Sequence, residues 1–146
     1  MKIPFVDLNK QYLMIKNEID DSIQNVINDS AFIKGKYVDV FEEEYSASYK
    51  IKHCISCANG TDAIYIALKS LGIGPGDEVI TTSLSWISTS ETITQAGAKV
   101  VFTDIEPEFY TIDTQKIEQK ITNKTKAIIP VHLYGHPANM TEIMKI

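Results

Sequence analysis

The sequence predicts an α/β fold, in which helices cover both faces of a mainly parallel sheet in a three-layer α/β/α arrangement. From His53 onward, short apolar runs rich in β-branched residues alternate with stretches of helical periodicity. Compact turns, such as the one between Gly72 and Asp77, separate these runs. Because strands that are joined by helices run parallel through right-handed crossovers, this alternation implies a parallel sheet.

The start of the chain has a different pattern and is predicted to form an N-terminal helical segment, residues 1–50. Apolar residues recur at steps of three and four through residues 9–28, which predicts one helix with an apolar face of Tyr12, Ile15, Ile19, Ile23 and Val26. A loop leads to a second predicted helix, whose inward face holds Val38, Phe41 and Tyr45. Three glutamates interrupt that face and are interpreted as a solvated surface: Glu42, Glu43 and Glu44.

Residues 51–146 are predicted to form an incomplete α/β domain. Its predicted strands are residues 54–58, Glu78–Thr82, Lys99–Thr103 and residues 127–131, and its predicted helices are residues 62–71, 87–96 and 114–120. A further helix is expected to begin near Thr141, which can cap it. Since the sequence ends inside that helical pattern, we expect the chain to be a piece of a longer protein.

Ligands of parallel α/β sheets bind beyond the carboxyl ends of the strands, where three loops of this chain are expected to meet: residues 59–62, 83–86 and 132–136. In the first loop, Gly60, Thr61 and Asp62 open a predicted helix directly after a strand. Free backbone N–H groups and the helix dipole favour an anion there, so a phosphate can be held by these three residues. The same residue types also form an ordinary helix cap and turn, and both interpretations stay open.

The other two loops carry one aromatic and two histidine candidates. Trp86 can stack on a planar cofactor, and from its position it can equally fill the top of the core. The spacing of His132 and His136 would suit a metal on a helix, but Gly135 and Pro137 disfavour a helix, so no metal site is predicted. His132 is interpreted either as a polar contact at the sheet edge or as a structural hydrogen-bond partner.

Composition excludes several classes of function. A formal net charge of -5 argues against a nucleic-acid partner, and no apolar run reaches membrane-spanning length. Two cysteines without an export signal predict a cytoplasmic protein, in which Cys54 and Cys57 are interpreted as small buried hydrophobic residues of a strand. The chain contains no arginine, so an arginine clamp for carboxylate or phosphate must come from elsewhere.

Five motifs occur in a fixed order along the chain: Ile3-Pro4-Phe5-Val6-Asp7-Leu8, Ile33-Lys34-Gly35, Cys57-Ala58-Asn59-Gly60-Thr61-Asp62-Ala63, Gly72-Ile73-Gly74-Pro75-Gly76-Asp77-Glu78-Val79-Ile80 and Pro130-Val131-His132-Leu133-Tyr134-Gly135. This set closely resembles the N-terminal half of the DegT/DnrJ/EryC1/StrS sugar aminotransferases. The resemblance covers essentially all 146 residues. It implies part of the large domain of a fold-type-I enzyme that uses pyridoxal 5'-phosphate and is usually a homodimer.

The resemblance also implies a reaction and a set of site residues. Family members transfer an amino group from glutamate to a nucleotide-linked keto sugar, usually for polysaccharide or glycan precursors. By position, Gly60, Thr61 and Asp62 match the phosphate end of the cofactor, and Trp86 matches the aromatic residue on the pyridine ring. His132 matches a histidine near the active-site edge and is the candidate for substrate binding.

The resemblance assigns no catalytic residue to this chain. The family's Schiff-base lysine and the acidic partner of the pyridine nitrogen both lie C-terminal to the matched region, as does the small domain. We therefore expect the 146-residue chain alone to be inactive. A non-catalytic sensor or regulator of the same fold is the alternative, and an unrelated nucleotide-binding α/β domain fits the strand–helix alternation but not the ordered motifs.

Overall fold

A computed structural model describes residues 4–146, and Ile3 of the first motif lies outside the described residues. The chain divides into two compact units between residues 56 and 57. The domain assignment of residues 1–50 and 51–146 stays a prediction. Among residues 4–146, no helix combines the length and apolar character that crossing a membrane requires.

The described part of the first unit, residues 4–56, contains three helices: α1 (Leu8–Met14), α2 (Lys16–Asn28) and α3 (Lys36–Tyr49). The prediction of one helix over residues 9–28 was wrong, because Ile15 leaves helical geometry (φ -120°, ψ 19°) between α1 and α2. The Tyr12 hydroxyl donates to Asp20 Oδ1 across this break at 2.7 Å. Because the apolar spacing continues through Ile15, periodicity alone does not reveal the break.

The face of α3 that was predicted to point inward is largely exposed. Phe41 and Tyr45 keep 53% and 41% of their surface accessible, and no residue of α3 is buried. These two rings instead form a row with Tyr49, with ring centroids 5.6 Å and 4.6 Å apart. Glu42, one of the three glutamates predicted to form a solvated surface, also accepts a 2.6 Å hydrogen bond from the Ser56 amide through its Oε1.

The second unit alternates strands and helices, as the sequence predicts. Its elements are α4 (Gly60–Ser70), β1 (Glu78–Thr82), α5 (Ser88–Gln95), β2 (Lys99–Thr103), α6 (Thr114–Ile117), β3 (Thr125–Ile129) and α7 (Met140–Ile143), with 3-10 turns at Glu118–Lys120 and Leu133–Gly135. The three strands form a parallel sheet in the order β2-β1-β3. The predicted α/β fold class is confirmed.

Apolar side chains bury both faces of this sheet, since adjacent residues of a strand point to opposite sides. Val79 of β1 joins a cluster with residues of α4, of α5 and of the segments that follow them: Leu68, Ile73, Ile93, Ala96 and Ala98. The next residue, Ile80, joins a second cluster with residues of α6, α7 and their loops: Ile112, Ile117, Ala138 and Ile143. The second unit is therefore the predicted three-layer α/β/α arrangement.

The predicted strand at residues 54–58 was wrong. These residues have no strand structure, and none of the described residues pairs with them in a ladder. An extended segment becomes a strand only when its backbone groups find a partner. The interpretation of both cysteines as buried was also wrong, because Cys54 is half-buried and Cys57 is exposed.

Two element boundaries differ from their predictions at the end of the chain. Strand β3 ends at Ile129, two residues before the predicted end, because Pro130 has no N–H group to continue the ladder. Helix α7 is capped by Asn139, whose side chain accepts from the Glu142 amide, so the predicted cap at Thr141 was wrong.

Candidate functional site

The candidate site lies where the first turns of α4 and α5 meet in the second unit. Helix α5 follows the carboxyl end of β1 through a loop of residues 83–87, and α4 begins directly after Asn59. The Thr61 hydroxyl in the first turn of α4 donates to Ser88 Oγ at the start of α5, at 2.8 Å. This hydrogen bond joins two segments that are 27 residues apart in sequence.

Asn59 determines which backbone amides of α4 are available. Its Oδ1 accepts from the Asp62 amide at 2.9 Å, and its carbonyl oxygen accepts from the Ala63 amide at 3.0 Å. The amides of Gly60 and Thr61 have no acceptor among the described residues. These two N–H groups therefore remain for an anion, whereas the Asp62 amide is already bonded to the cap.

The Asp62 side chain is part of the same cap. Its Oδ2 accepts from Asn59 Nδ2 at 3.2 Å, so the two side chains bond to each other as well as to the backbone. A carboxylate repels a phosphate, and this bond holds the Asp62 carboxylate on its cap partner. Of the three residues predicted at a phosphate, Gly60 and Thr61 offer free donors, and Asp62 supports the turn that presents them.

The space above Gly60 is open, which fits the approach of a ligand to the backbone. A Cβ added at this position would meet no atom within 4 Å, and Gly60 has no positive φ that would demand glycine. A side chain here would extend into solvent-filled space rather than into the core. The missing side chain therefore leaves the first amides of α4 accessible to a phosphate group.

Sequence reasoning missed three hydroxyl residues at this junction: Ser85, Ser88 and Thr89. Ser88 and Thr89 are only 8% and 7% exposed, and Ser85 Oγ lies 2.8 Å from Thr89 Oγ1. Their signal is the hydroxyl-rich run that leaves β1 and opens α5. The residues nearest the phosphate candidates are thus small, polar and able to donate hydrogen bonds.

Trp86 lies in the loop before α5 and is 79% exposed. It is therefore not part of the core of the second unit, and the open interpretation that it fills the core is wrong for this structure. Its backbone carbonyl accepts from the Thr89 amide at 3.1 Å, which fixes the loop while the ring stays accessible. Stacking of this ring on a cofactor stays a prediction.

The two histidines serve different structural roles. His132 Nδ1 accepts from the Ala138 amide at 3.0 Å, so its neutral ring carries the proton on Nε2 and closes the loop after β3. His136 stacks on Phe109, with ring centroids 4.9 Å apart and planes inclined by 10°. The structural hydrogen bond that was one interpretation of His132 is present, and its contact with substrate stays a prediction.

Comparison with known proteins identifies the group to which this chain is related. The model of the DegT/DnrJ/EryC1/StrS aminotransferase family matches residues 13–146. A pleiotropic regulatory protein from Geobacillus stearothermophilus is 49% identical over 146 residues, all of this chain and 39% of that protein. A UDP-2-acetamido-2-deoxy-3-oxo-D-glucuronate aminotransferase from Pseudomonas aeruginosa is 46% identical over 144 residues, 99% of this chain and 40% of that protein.

Solved structures agree with these relatives. Streptomyces venezuelae DesV, in complex with a ketimine intermediate, superposes with a TM-score of 0.95 at 36% identity, covering 99% of this chain and 39% of that one. The ntda protein from Bacillus subtilis, with bound cofactor pmp, superposes with a TM-score of 0.93 at 35% identity, covering 99% of this chain and 33% of that one. The chain thus spans less than half the length of these relatives. It belongs to the DegT/DnrJ/EryC1/StrS aminotransferase family.

Proposed function

We propose that this chain holds the phosphate end of pyridoxal 5'-phosphate in a sugar-nucleotide aminotransferase. The observation that carries this proposal is the junction of α4 and α5, where the Gly60 and Thr61 amides are free beneath open space. Backbone N–H groups at the start of an eleven-residue helix suit a phosphate dianion. The cofactor, when bound, supplies an electron sink for bond breaking at the amino carbon.

Each residue of the site has a separate task in this proposal. Gly60 and Thr61 donate their amide hydrogens to phosphate oxygens, and the Asn59 cap holds the turn that presents them. Trp86 offers an accessible aromatic face for the pyridine ring. His132 keeps Nε2–H for a substrate oxygen, because its Nδ1 is bonded to the Ala138 amide.

The proposal also includes a reaction and its partners. We assign transfer of an amino group from glutamate to a nucleotide-linked keto sugar, in a cytoplasmic homodimer. The nucleotide-sugar part is supported by the UDP-linked 3-oxo sugar aminotransferase at 46% identity. It is also supported by two dTDP-3-amino-3,4,6-trideoxy-alpha-D-glucose transaminases, from Micromonospora megalomicea at 40% identity and Streptomyces venezuelae at 36%. No lysine of this chain is assigned to bond the cofactor, and that lysine is proposed for the longer protein.

The experiment that tests this function uses a full-length protein that contains this chain. Adding pyridoxal 5'-phosphate is expected to produce a visible absorption band, and borohydride is expected to fix the cofactor covalently to one lysine. In a separate sample that has not been treated with borohydride, glutamate is expected to discharge the band and yield 2-oxoglutarate. A full-length protein that shows no band with the cofactor would contradict the proposal.

A regulatory or sensory role is the second candidate, and two relatives favour it by their names. These are the pleiotropic regulatory protein at 49% identity and a sensory transduction protein, EryC1, from Saccharopolyspora erythraea at 38% identity. Such a protein would bind the cofactor phosphate through the same turn without turning over an amino donor. Cofactor binding without formation of 2-oxoglutarate would favour this second candidate.

A further inference from the structure

We propose that Ser88 is a positioning residue, which orients the Thr61 hydroxyl toward the cofactor phosphate. This inference rests on the proposed function, and it adds a residue that neither the motifs nor the family resemblance assigns. Ser88 is only 8% exposed, so it has little access to a ligand in solution. It acts through Thr61, whose Oγ1 lies 2.8 Å from Ser88 Oγ.

The direction of this hydrogen bond is the reason for the proposal. Thr61 donates its hydroxyl hydrogen to Ser88, and the Ser88 hydroxyl hydrogen has no acceptor among residues 4–146. A buried hydroxyl whose hydrogen is unbonded loses the solvation that it would have in water. When no ligand is bound, the Ser88 hydroxyl is therefore a hydrogen-bond donor without an acceptor among residues 4–146.

A phosphate dianion accepts hydrogen bonds and does not donate them, so its arrival favours the opposite direction. Thr61 then turns its hydroxyl hydrogen to a phosphate oxygen. Its Oγ1 is free to accept, and Ser88 donates its hydroxyl hydrogen to that atom. The reversed pair uses both hydroxyl hydrogens. Donation from Ser88 also polarises the Thr61 hydroxyl, which strengthens its charge-assisted bond to the phosphate.

Two features of the fold hold the pair in place. Thr61 and Ser88 each occupy the first turn of a helix, and both helices contribute to one buried cluster, through Leu68 of α4 and Ile93 of α5. The neighbouring Ser85–Thr89 pair is a separate contact, so the Ser88 hydroxyl is not required for it. Removing the Ser88 oxygen should therefore affect Thr61 while leaving the packing of the two helices intact.

The test compares two ligands that differ only in the phosphate, pyridoxamine 5'-phosphate and pyridoxamine. Neither carries an aldehyde, so binding does not depend on a lysine bond. In the full-length protein, Ser88→Ala is expected to weaken equilibrium binding of the phosphorylated ligand about three- to tenfold, the range of one lost hydrogen bond. Binding of pyridoxamine is expected to stay within about twofold of wild type.

Three further variants separate positioning from simple structural support. Ser88→Thr keeps a hydroxyl and is expected to retain the wild-type preference for the phosphorylated ligand. In a Thr61→Val background, Ser88→Ala is expected to have no additional effect, because the residue acts only through Thr61. Ser90→Ala is the matched control, since its hydroxyl is on α5 and bonds to the Ile87 carbonyl oxygen.

The possible outcomes distinguish this inference from the proposed function. If Ser88→Ala weakens both ligands equally, or remains as harmful in the Thr61→Val background, Ser88 has a structural role and the inference is overturned. An unchanged affinity of Ser88→Ala for pyridoxamine 5'-phosphate overturns it as well, while the proposed function survives. Failure of the wild-type full-length protein to bind the phosphorylated ligand overturns both.

Discussion

The two units of the chain use their apolar residues in opposite ways. In the second unit, Val79 and Ile80 of β1 are completely buried, one on each face of the sheet. In the first unit, helices α1, α2 and α3 contain no buried residue. The apolar stripe on α2 remains exposed: Ile19, Ile23 and Ile27 keep 39%, 55% and 47% of their surface accessible. The difference shows that helical periodicity predicts a helix but does not supply the surface against which it packs.

The largest expected effect of this difference is on stability. Ile80→Ala, at a fully buried site, is expected to lower the free energy of unfolding by about 2–5 kcal/mol, because it leaves a cavity in a closed core. Ile23→Ala, at a site that is 55% exposed, is expected to cost less than about 1 kcal/mol. Urea unfolding followed by circular dichroism measures both. Equal losses for the two variants would contradict the account of the two units.

The next effect concerns an exposed aromatic residue of the second unit that is expected to contribute to ligand binding rather than to the core. Trp86→Ala in a full-length protein is expected to weaken cofactor binding by about 1–3 kcal/mol through loss of stacking. Phe102→Ala is the control, because Phe102 is a half-exposed aromatic on β2 that is not assigned to the cofactor. Fluorescence titration with the cofactor measures both affinities, and an unchanged affinity of the Trp86 variant would remove this residue from the site.

A smaller effect compares the side-chain caps of one helix in each unit. Asn59→Ala removes the acceptor of the Asp62 amide and is expected to destabilise α4 by about 1 kcal/mol. Asp7→Ala removes the acceptor of the Lys10 amide in α1 and is expected to cost less, since α1 buries no residue that its fraying would expose. Thermal unfolding measures both variants. A larger loss of stability from Asp7→Ala than from Asn59→Ala would contradict the prediction that the cap in the second unit contributes more.

The smallest effect is a dependence of stability on pH. Hydrogen bonds from Thr122 and then Lys99 lower the pKa of the Glu78 carboxyl in the second unit, and the Ser56 amide lowers the pKa of Glu42 in the first. A lowered pKa in the folded state adds stability above the unfolded pKa, which is about 4.3 for glutamate. That contribution to stability is lost as the pH falls from the unfolded-state pKa through the lower folded-state pKa.

Glu78→Gln tests this prediction, because glutamine cannot titrate. The variant is expected to show a weaker fall in urea midpoint between neutral and acidic pH than the wild-type chain. The change should be modest, because Lys99 keeps 72% of its side chain exposed and water screens the pair. An identical pH dependence in the two proteins would remove Glu78 from the acid response.

The sequence specified the second unit better than the first for physical reasons that particular residues illustrate. Strands Glu78–Thr82 and Lys99–Thr103 match their predictions because a glycine turn directly precedes each β-branched run. Residues 54–58 have a similar apolar pattern but find no ladder partner among residues 4–146, and partner availability is a property of the fold rather than of the segment.

The candidate site likewise has features that the local sequence predicts and features that depend on the fold. Gly60, Thr61 and Asp62 could be predicted because turn-forming residues and a helix start follow one another within one short segment. Two features of the site could not be read from that segment. The Asp62 amide is taken by Asn59, and Thr61 bonds to Ser88, which lies 27 residues away. Such pairings depend on how two helices meet, and local patterns carry no information about that contact.

The most direct test of the central claim is to observe the backbone amides of α4 while the cofactor binds. In a nitrogen-15-labelled full-length protein, pyridoxamine 5'-phosphate is expected to produce large shifts of the Gly60 and Thr61 amide resonances. The Asp62 amide should move less, because it stays bonded to Asn59. Pyridoxamine without the phosphate should leave all three nearly unchanged. Saturated binding of pyridoxamine 5'-phosphate with no shift at Gly60 and Thr61 would contradict the claim that this turn holds the phosphate.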